Sequence, residues 1–515
     1  METLFEFALT PRLEGTEQLY FHRSANRVSF DTYFNSIPIR KIRQYTSIRE
    51  LHFSHRADIC TEHGHLKSGE SIRLDEIPQD AELLFVQTPN MPVSLSVSAA
   101  GKRRQVQIAV IICTYRREKQ VRAAVDYLLK HIERLPCHIL LVDNASEIPP
   151  DTWDPAFVTL LHNCNNGGSG GFSRGMQYAA AQGTYTHLLL MDDDVILDAV
   201  TLQRLCGLLS YLKDEASDLC IAGSMLYADE PTVQFESGGY FSTDGMQTGY
   251  GYRFEMTDMK NILENEGDKP VNYSGWWFFC MPVRYAAEGQ LPAPFFLKYD
   301  DVEYALRCRL QIITVNGIGV WHENFAAKYN AVQAYFDARN YLFLRKWHTP
   351  GFDETAACKK ARYLLLEKLC RQQYQMAEAV CIAYEDYLKG EGNLTQICYE
   401  EKLAELRRLN YSMLNDAQLL SEYGIRFDPA LYRTCSSRPF RRYMQPLLYG
   451  HLLPGWLCRK LTITDTLADR KEHYFGAGTV LHYDPSGCTG YVTKKAMTCW
   501  IHFLFRLITA RWRLK

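Results

Sequence analysis

No run in this chain reaches the roughly 18 uncharged apolar residues that a membrane-spanning helix needs, so none is predicted. The opening residues Met1-Glu2-Thr3-Leu4-Phe5-Glu6 lack a basic stretch and a long apolar segment, so no secretory leader is expected. The 16 cysteines include no Cys-x-x-Cys pair and none at zinc-site spacing with histidine. Several (Cys113, Cys206, Cys280, Cys381) lie inside apolar runs and read as buried free thiols of a reducing cytoplasm. An excess of either charge is missing as well. With 57 basic and 59 acidic residues the net charge is −2, which removes any bulk electrostatic argument for nucleic-acid binding.

What the chain has is length and apolar pattern. At 515 residues it exceeds one ordinary core, and two or three domains are predicted. An apolar fraction of 47% against 23% charged marks a globular chain. Residues 1–104 carry short aromatic or alternating runs (18–22, 27–34, 82–86, 93–97) without a helical period, and read as a β-sandwich or jelly roll. Such a module either contacts carbohydrate or packs on its neighbour. Residues 105–345 alternate strands and helices in the manner of a parallel α/β sheet. Residues 346–515 read as a helical C-terminal domain, with amphipathic segments at 356–388 and 399–409. The last stretch, 496–515, combines Trp500, Phe503, Phe505 and Trp512 with Arg506, Arg511, Arg513 and Lys515 and has no acid. It is either a terminal helix packed on the body or a peripheral contact with an anionic membrane.

The chemistry gathers around Thr186-His187-Leu188-Leu189-Leu190-Met191-Asp192-Asp193-Asp194. An apolar strand runs into three consecutive carboxylates, and ligands of open α/β sheets sit at the carboxyl ends of strands. Unpaired buried charge is prohibitively costly, so a divalent cation with oxygen ligands, bridging substrate phosphates, is expected there. Asp143 ends a neighbouring strand, where it either holds a nucleotide base or ribose or serves as a turn or cap residue. The segment Asn166-Gly167-Gly168-Ser169-Gly170-Gly171-Phe172-Ser173-Arg174 opens a helix, letting backbone approach a ligand and offering free N–H groups to an anion. It is not a Walker phosphate loop, because the lysine is absent. Glu236 is a candidate polar contact. Trp276 and Trp277, placed on a strand, would point to opposite faces, one into the core and one toward a sugar. In the second acidic pair, one of Asp300 and Asp301 caps the following helix and the other is free as a general base. His322, after an apolar strand, is a nitrogen ligand if it meets the aspartate triplet, and that donor set suits Mn²⁺ better than Ca²⁺.

Taken in order, Asn166–Arg174, Met191-Asp192-Asp193-Asp194, Gly275-Trp276-Trp277, Lys298-Tyr299-Asp300-Asp301 and Trp321-His322 resemble the family 2 glycosyltransferases, above all the bacterial galactan galactofuranosyltransferases. The resemblance spans 106–345. It implies a GT-A fold and inverting, metal-dependent transfer from a nucleotide-sugar donor, with Mn²⁺ or Mg²⁺ as cofactor. It places Asp192, Asp194 and His322 at the metal, Asp193 at the diphosphate, Arg117 on the donor and Asp301 as the catalytic base. It also places Asp300, Trp276 and Trp277 at the acceptor, with Glu236 as a further substrate contact. The expected activity is transfer of galactofuranose from UDP-galactofuranose to an oligosaccharide or lipid-linked glycan at the cell surface. The alternatives are a dTDP-rhamnose-dependent rhamnosyltransferase and a glycan-binding protein with a disabled transferase domain. A homo-oligomer is left open.

Overall fold

The structure, a computed structural model, describes all residues except 1, 134, 288, 325–328, 429–449, 466–470, 486 and 509–515. The chain divides into two compact units, Met1–Glu323 and Asn324–Lys515.

The first unit begins with seven strands: β1 (Glu2–Glu6), β2 (His22–Ser24), β3 (Arg27–Ser29), β4 (Glu50–Thr61), β5 (Gly64–Arg73), β6 (Leu84–Thr88) and β7 (Ser96–Ala100). All pair antiparallel in one sheet of order β1-β7-β4-β6-β3-β2, with β5 on β4. β4 pairs β7 through Glu50–Phe53 and β6 through Asp58–Thr61, and its register against β5 breaks between His52 and Ala57. A bulged strand that changes partner half-way bends the sheet onto itself. The expected sandwich-like module is therefore a curled single sheet, with Leu51, Phe53, Ile59, Val86 and Val97 in one core.

That core does not stop at residue 104. It includes Val200, Leu226, Met256, Ile262 and Trp321 from the α/β region. The helix α1 (Ile39–Tyr45) sends Lys41 into it, where Nζ lies 2.9 Å from Glu266 Oε1 and donates to the Thr314 carbonyl at 2.5 Å. Phe34 packs against Trp321 with ring centroids 5.3 Å apart. The front module thus braces the strand that ends at His322. Pairing of this kind is what its aromatic content achieves; of the two roles left open for it, packing on its neighbour is visible.

The α/β region follows: β8 (Ile108–Thr114), α2 (Glu118–Ile132), β9 (Cys137–Asp143), β10 (Val158–His162), α3 (Gly167–Gln182), β11 (His187–Asp192), β12 (Ile196–Leu197), α4 (Ala199–Ser210), β13 (Leu219–Tyr227) and β14 (Gln234–Glu236). After the hairpin β15 (Gly239–Phe241) and β16 (Gln247–Gly249) come α5 (Met259–Glu266), β17 (Phe278–Pro282), α6 (Arg284–Ala287), α7 (Asp300–Cys308) and β18 (Gln311–His322). The nine-stranded sheet has the order β10-β9-β8-β11-β17-β13-β18-β12, with β14 on β13. Strands β8 to β11 are parallel, β17 is antiparallel between β11 and β13, and β13 and β18 are parallel. Full burial on both faces explains why these strands read as continuous apolar runs.

The second unit is helical at first: α8 (Ala331–His348), α9 (Glu354–Cys370), α10 (Tyr374–Leu388), α11 (Gly392–Gln396), α12 (Tyr399–Arg407) and α13 (Asp416–Tyr423). The single amphipathic segment expected at 356–388 is two helices, broken at Arg371–Gln373, where Gln372 takes a left-handed φ of 59°. A four-stranded sheet of 414–415, 462–465, 479–484 and 489–494 then interrupts the helical reading, before a last helix, Met497–Ile508. Its strand Thr479–Asp484 is buried along nearly its whole length and has no period-two alternation to announce it. Of the tail read as a terminal helix or membrane contact, Arg511, Trp512, Arg513 and Lys515 lie outside the described residues.

Candidate active site

Register places the chemistry. Thr114 pairs with Asp143, Cys113 with Asp192, and Tyr227 with His322, so the carboxyl ends of β8, β9, β11 and β18 open on one edge of the sheet. His322 Nε2 lies 2.9 Å from Asp194 Oδ1. One ligand atom from each of Asp192, Asp194 and His322 falls within 4.8 Å of the others. His322 Nδ1 donates to the Glu323 carbonyl at 2.6 Å, so Nε2, which faces Asp194, is the nitrogen that an ion would meet once its proton is displaced.

Electrostatics describes the same cluster. Burial, reinforced by Asp194 and Asp193 and opposed by His322, pushes the Asp192 carboxyl up to about 7. Burial lowers the His322 imidazole, but the hydrogen bond and charge of Asp194 outweigh it and the net shift is upward. Carboxylates crowded this far from water lack positive charge, and the donor set of two carboxylates and one imidazole fits a divalent ion such as Mn²⁺ or Mg²⁺. Arg117 Nη1 supplies part of that charge, 2.9 Å from Asp193 Oδ1 and 2.8 Å from Asp194 Oδ2. Thr114 Oγ1 donates to the other Asp193 oxygen at 2.6 Å.

The second acidic pair reaches this edge from α7. Neither aspartate caps the helix through its side chain in the expected way. Tyr299 occupies the cap position at φ 66° and makes no side-chain cap bond to the helix, and Asp301 Oδ1 accepts from the Val302 amide at 2.8 Å. Three non-glycine residues of the preceding loop, Phe296, Lys298 and Tyr299, are left-handed at φ 73°, 69° and 66°. Such conformations cost about 1–3 kcal/mol each and persist where the surroundings dictate them. Here the glycine-rich helix start holds the first of them. Ser169 N donates to the Phe296 carbonyl at 3.3 Å, and Phe296 N donates to Ser169 Oγ at 2.9 Å. Gly167 has φ 70°, and a Cβ there would sit 2.0 Å from the Phe296 oxygen.

Burial raises the Asp300 and Asp301 carboxyls; Asp301 further raises Asp300, and so does Asp192, which ties the pair to the triplet. Lys298 acts in the opposite direction on Asp301. Burial and the charge of Asp301 push Glu236 up to about 8. Glu236 is thus close enough to Asp301 to feel its charge, and both effects favour its protonated form.

Several expected contacts take other duties. Asp143 is buried and both its oxygens accept backbone amides: Ala145 N at 2.9 Å, Glu147 N at 2.7 Å and Ile148 N at 2.8 Å. It shapes the loop after β9, the turn role. Ser169 is buried with its hydroxyl engaged by Phe296, so it positions the strained loop. Asn166 precedes α3 and makes no side-chain cap bond. Gly168 lies by Asp300, whose Oδ2 would be 4.0 Å from a Cβ there. Arg174 stands exposed two turns into α3. Trp276 and Trp277 form a turn before β17, not a strand, and are only 6% and 7% exposed. Trp276 packs edge-on between Phe172 (5.3 Å) and Tyr304 (5.9 Å), and Trp277 Nε1 donates to the Gly223 carbonyl at 2.8 Å. Neither ring stands out as the open sugar platform expected, because the turn lets both fold inward.

Sequence reasoning missed Thr114 and Asn144. Asn144 Nδ2 donates to the Gly167 carbonyl at 3.0 Å and its Oδ1 accepts from Asn163, fastening the tip of β9 to the start of α3. Polar residues directly after two apolar strands were the available signal.

A family model described as "Glycosyltransferase like family 2" matches residues 105–337. These residues form a family 2 glycosyltransferase domain. Its sheet, and the acidic strand tip that faces a histidine, have the GT-A arrangement expected from the motifs. Two curated relatives are galactofuranosyltransferases named GlfT2. That of Mycolicibacterium smegmatis is 26% identical over 456 residues, 77% of this chain and 69% of its own. That of Mycobacterium tuberculosis is 26% identical over 329 residues, 60% of this chain and 50% of its own. The chain thus spans about two thirds of one relative and half of the other. Among solved structures, the mannosyltransferase PcManGT of Pyrobaculum calidifontis, in complex with GDP-Man and Mn²⁺, is 12% identical and covers 59% of this chain and 82% of its own at a TM-score of 0.32.

Proposed function

We propose that this glycosyltransferase domain moves galactofuranose from UDP-galactofuranose to a hydroxyl of a growing glycan, with inversion and with a divalent ion. The single observation carrying the reading is the convergence of Asp192, Asp194 and His322, whose ligand atoms lie within 4.8 Å of one another beside the Asp300–Asp301 pair. Those three residues would hold the ion, which when bound offsets the charge gathering on the departing diphosphate. The choice of sugar rests on the names of the two curated relatives.

The chain's own groups account for the rest. Asp301 takes the acceptor proton as the acceptor oxygen attacks, since a neutral sugar hydroxyl is a poor nucleophile. Its raised basicity brings it closer to neutrality than an ordinary carboxylate, which improves a general base. Glu236, protonated near pH 7, presents an O–H that orients the acceptor by donating to it. Arg117, now bound to Asp193 and Asp194, is within reach of donor phosphate oxygens by a change of side-chain rotamer. The Gly167–Ser169 backbone and the left-handed loop at 296–299 fix where the base stands.

The test is a donor screen. The protein with Mn²⁺ and an oligogalactan acceptor is offered UDP-galactofuranose, UDP-galactopyranose and dTDP-rhamnose, and released nucleotide is measured. Release with the furanose alone is expected. Release with dTDP-rhamnose alone selects the rhamnosyltransferase, and release with none selects a disabled, glycan-binding domain.

A further inference from the structure

The amino ends of the parallel strands, the edge of the sheet opposite the acidic tip, hold two thiols that the transfer chemistry does not use. Cys137 opens β9, level with Ile108 at the start of β8. Cys206 faces it from α4, and the two sulfurs lie 3.7 Å apart, so that one thiol donates to the other. Both residues are buried, at 9% and 5% exposure. A buried thiol without a partner or a way in is inert, whereas two adjoining thiols reached from a cavity can be oxidised together.

Cys206 has that way in. It lines a cavity of about 600 Å³ together with Arg103, Lys130 and His131, and with Glu6 and Glu133 as the acids among them. That volume admits a small molecule. The pair also has an order of ionisation. The hydrogen bond to Cys206, burial, and the charges of Cys206 and Cys280 all push the Cys137 thiol well above its ordinary range. Cys137 therefore keeps its proton and donates it to the other sulfur. Cys206 is the one that becomes the thiolate, the nucleophilic form.

We propose that Cys137 and Cys206 form an oxidation site, at which hydrogen peroxide entering the cavity converts the two thiols into a reversible disulfide between β9 and α4. The Cys206 thiolate attacks one peroxide oxygen and the O–O bond breaks. The departing hydroxide takes up the proton that Cys206 released and leaves as water. The Cys137 sulfur then attacks the sulfenic sulfur of Cys206. The S–S bond forms as the S–O bond breaks, and the hydroxyl leaves with the Cys137 proton as a second water. Two thiols are oxidised by two electrons, and one peroxide is reduced to two waters. A dithiol reductant reverses the step. The bond closes the segment 137–206, which carries α3 and the Asp192–Asp194 tip. A cross-link over that span restricts the unfolded chain and so stabilises this part of the domain. The inference is independent of the donor sugar.

Reduced full-length protein is treated with hydrogen peroxide, its remaining thiols are alkylated, and its peptides are mapped by mass spectrometry. Cys164, Cys398 and Cys488 are exposed, so the measurement is made in a Cys164→Ser/Cys398→Ser/Cys488→Ser background. A cross-linked Cys137–Cys206 peptide is expected, with the melting midpoint raised by about 4–8 °C and restored by dithiothreitol. Cys137→Ala is expected to stop at a sulfenic acid on Cys206 that dimedone labels. Cys206→Ala is expected to leave Cys137 alkylatable and the midpoint unmoved by peroxide. The proposal is overturned if Cys137 and Cys206 both stay alkylatable, or if Cys206 is found joined to Cys280. A peroxide-induced rise in midpoint that survives in Cys206→Ala overturns it as well.

Discussion

Lys41→Met tests how the front module supports the catalytic sheet. Lys41 and Glu266 are almost wholly buried, at 6% and 0% side-chain exposure, and their charged atoms are 2.9 Å apart. Glu266 Oε2 also accepts the Asn316 amide at 2.8 Å, and Lys41 also serves the Thr314 carbonyl. Thr314 and Asn316 both lie on β18, the strand that delivers His322. Removing the ammonium strands a buried carboxylate, a loss of about 3–5 kcal/mol. At about 2 °C per kcal/mol for a unit of this size, the melting midpoint should fall by about 6–10 °C. Adding Glu266→Gln neutralises the stranded charge and keeps an acceptor for Asn316, so the double variant should recover most of the loss. The assay is a double-mutant cycle by thermal and urea unfolding. A single variant that melts within about 1 °C of wild type, or a double variant no more stable than the single, would refute the reasoning.

Further outcomes follow from the site. Gly167→Ala puts a methyl 2.0 Å from the Phe296 oxygen at a left-handed φ, so kcat should drop at least about tenfold through displacement of Asp301, with nucleotide affinity held within about twofold; equal losses in both would show a general folding defect instead. Asp301→Asn should retain donor binding, measured by calorimetry with UDP, and lose transfer by about 10²-fold or more; unchanged turnover removes Asp301 from the role of base. The pH profile of kcat/KM should be bell-shaped. Activity is lost as pH falls through the raised Asp301 value, because the base is then protonated, and lost again as pH rises through about 8, because Glu236 gives up its proton. Glu236→Gln keeps a donor that cannot ionise, so the alkaline limb should move up or vanish; an unmoved limb excludes Glu236.

The acidic strand tip was the most legible part of the chain. An apolar strand running into Asp192-Asp193-Asp194 fixes both a sheet edge and a surplus of negative charge, and both are local properties. That His322 meets Asp194 depends on parallel pairing of β13 and β18, which residues 130 positions away cannot announce; the order of motifs supplied it. Asp143, Ser169 and the two tryptophans show where local reading runs out. Each is a residue type able to touch a ligand, but backbone amides, the Phe296 peptide and inward-facing aromatic pockets already occupy them. For Ser169 the partner belongs to a loop with left-handed residues 296, 298 and 299, none of them glycine, so no sequence signal marks that turn. The four-stranded sheet of the second unit was hidden for a different reason: its strands are short and lack alternation, and they follow helices with a stronger period.

The account rests on a cation held by Asp192, Asp194 and His322, and Mn²⁺ titration followed by electron paramagnetic resonance tests it most directly. Wild type with UDP should take up one Mn²⁺ per chain, and His322→Ala and Asp194→Asn should each bind it at least about tenfold more weakly, since even the residues behind a metal's ligands are worth about 10–100-fold. Identical titrations for wild type and both variants would contradict the account.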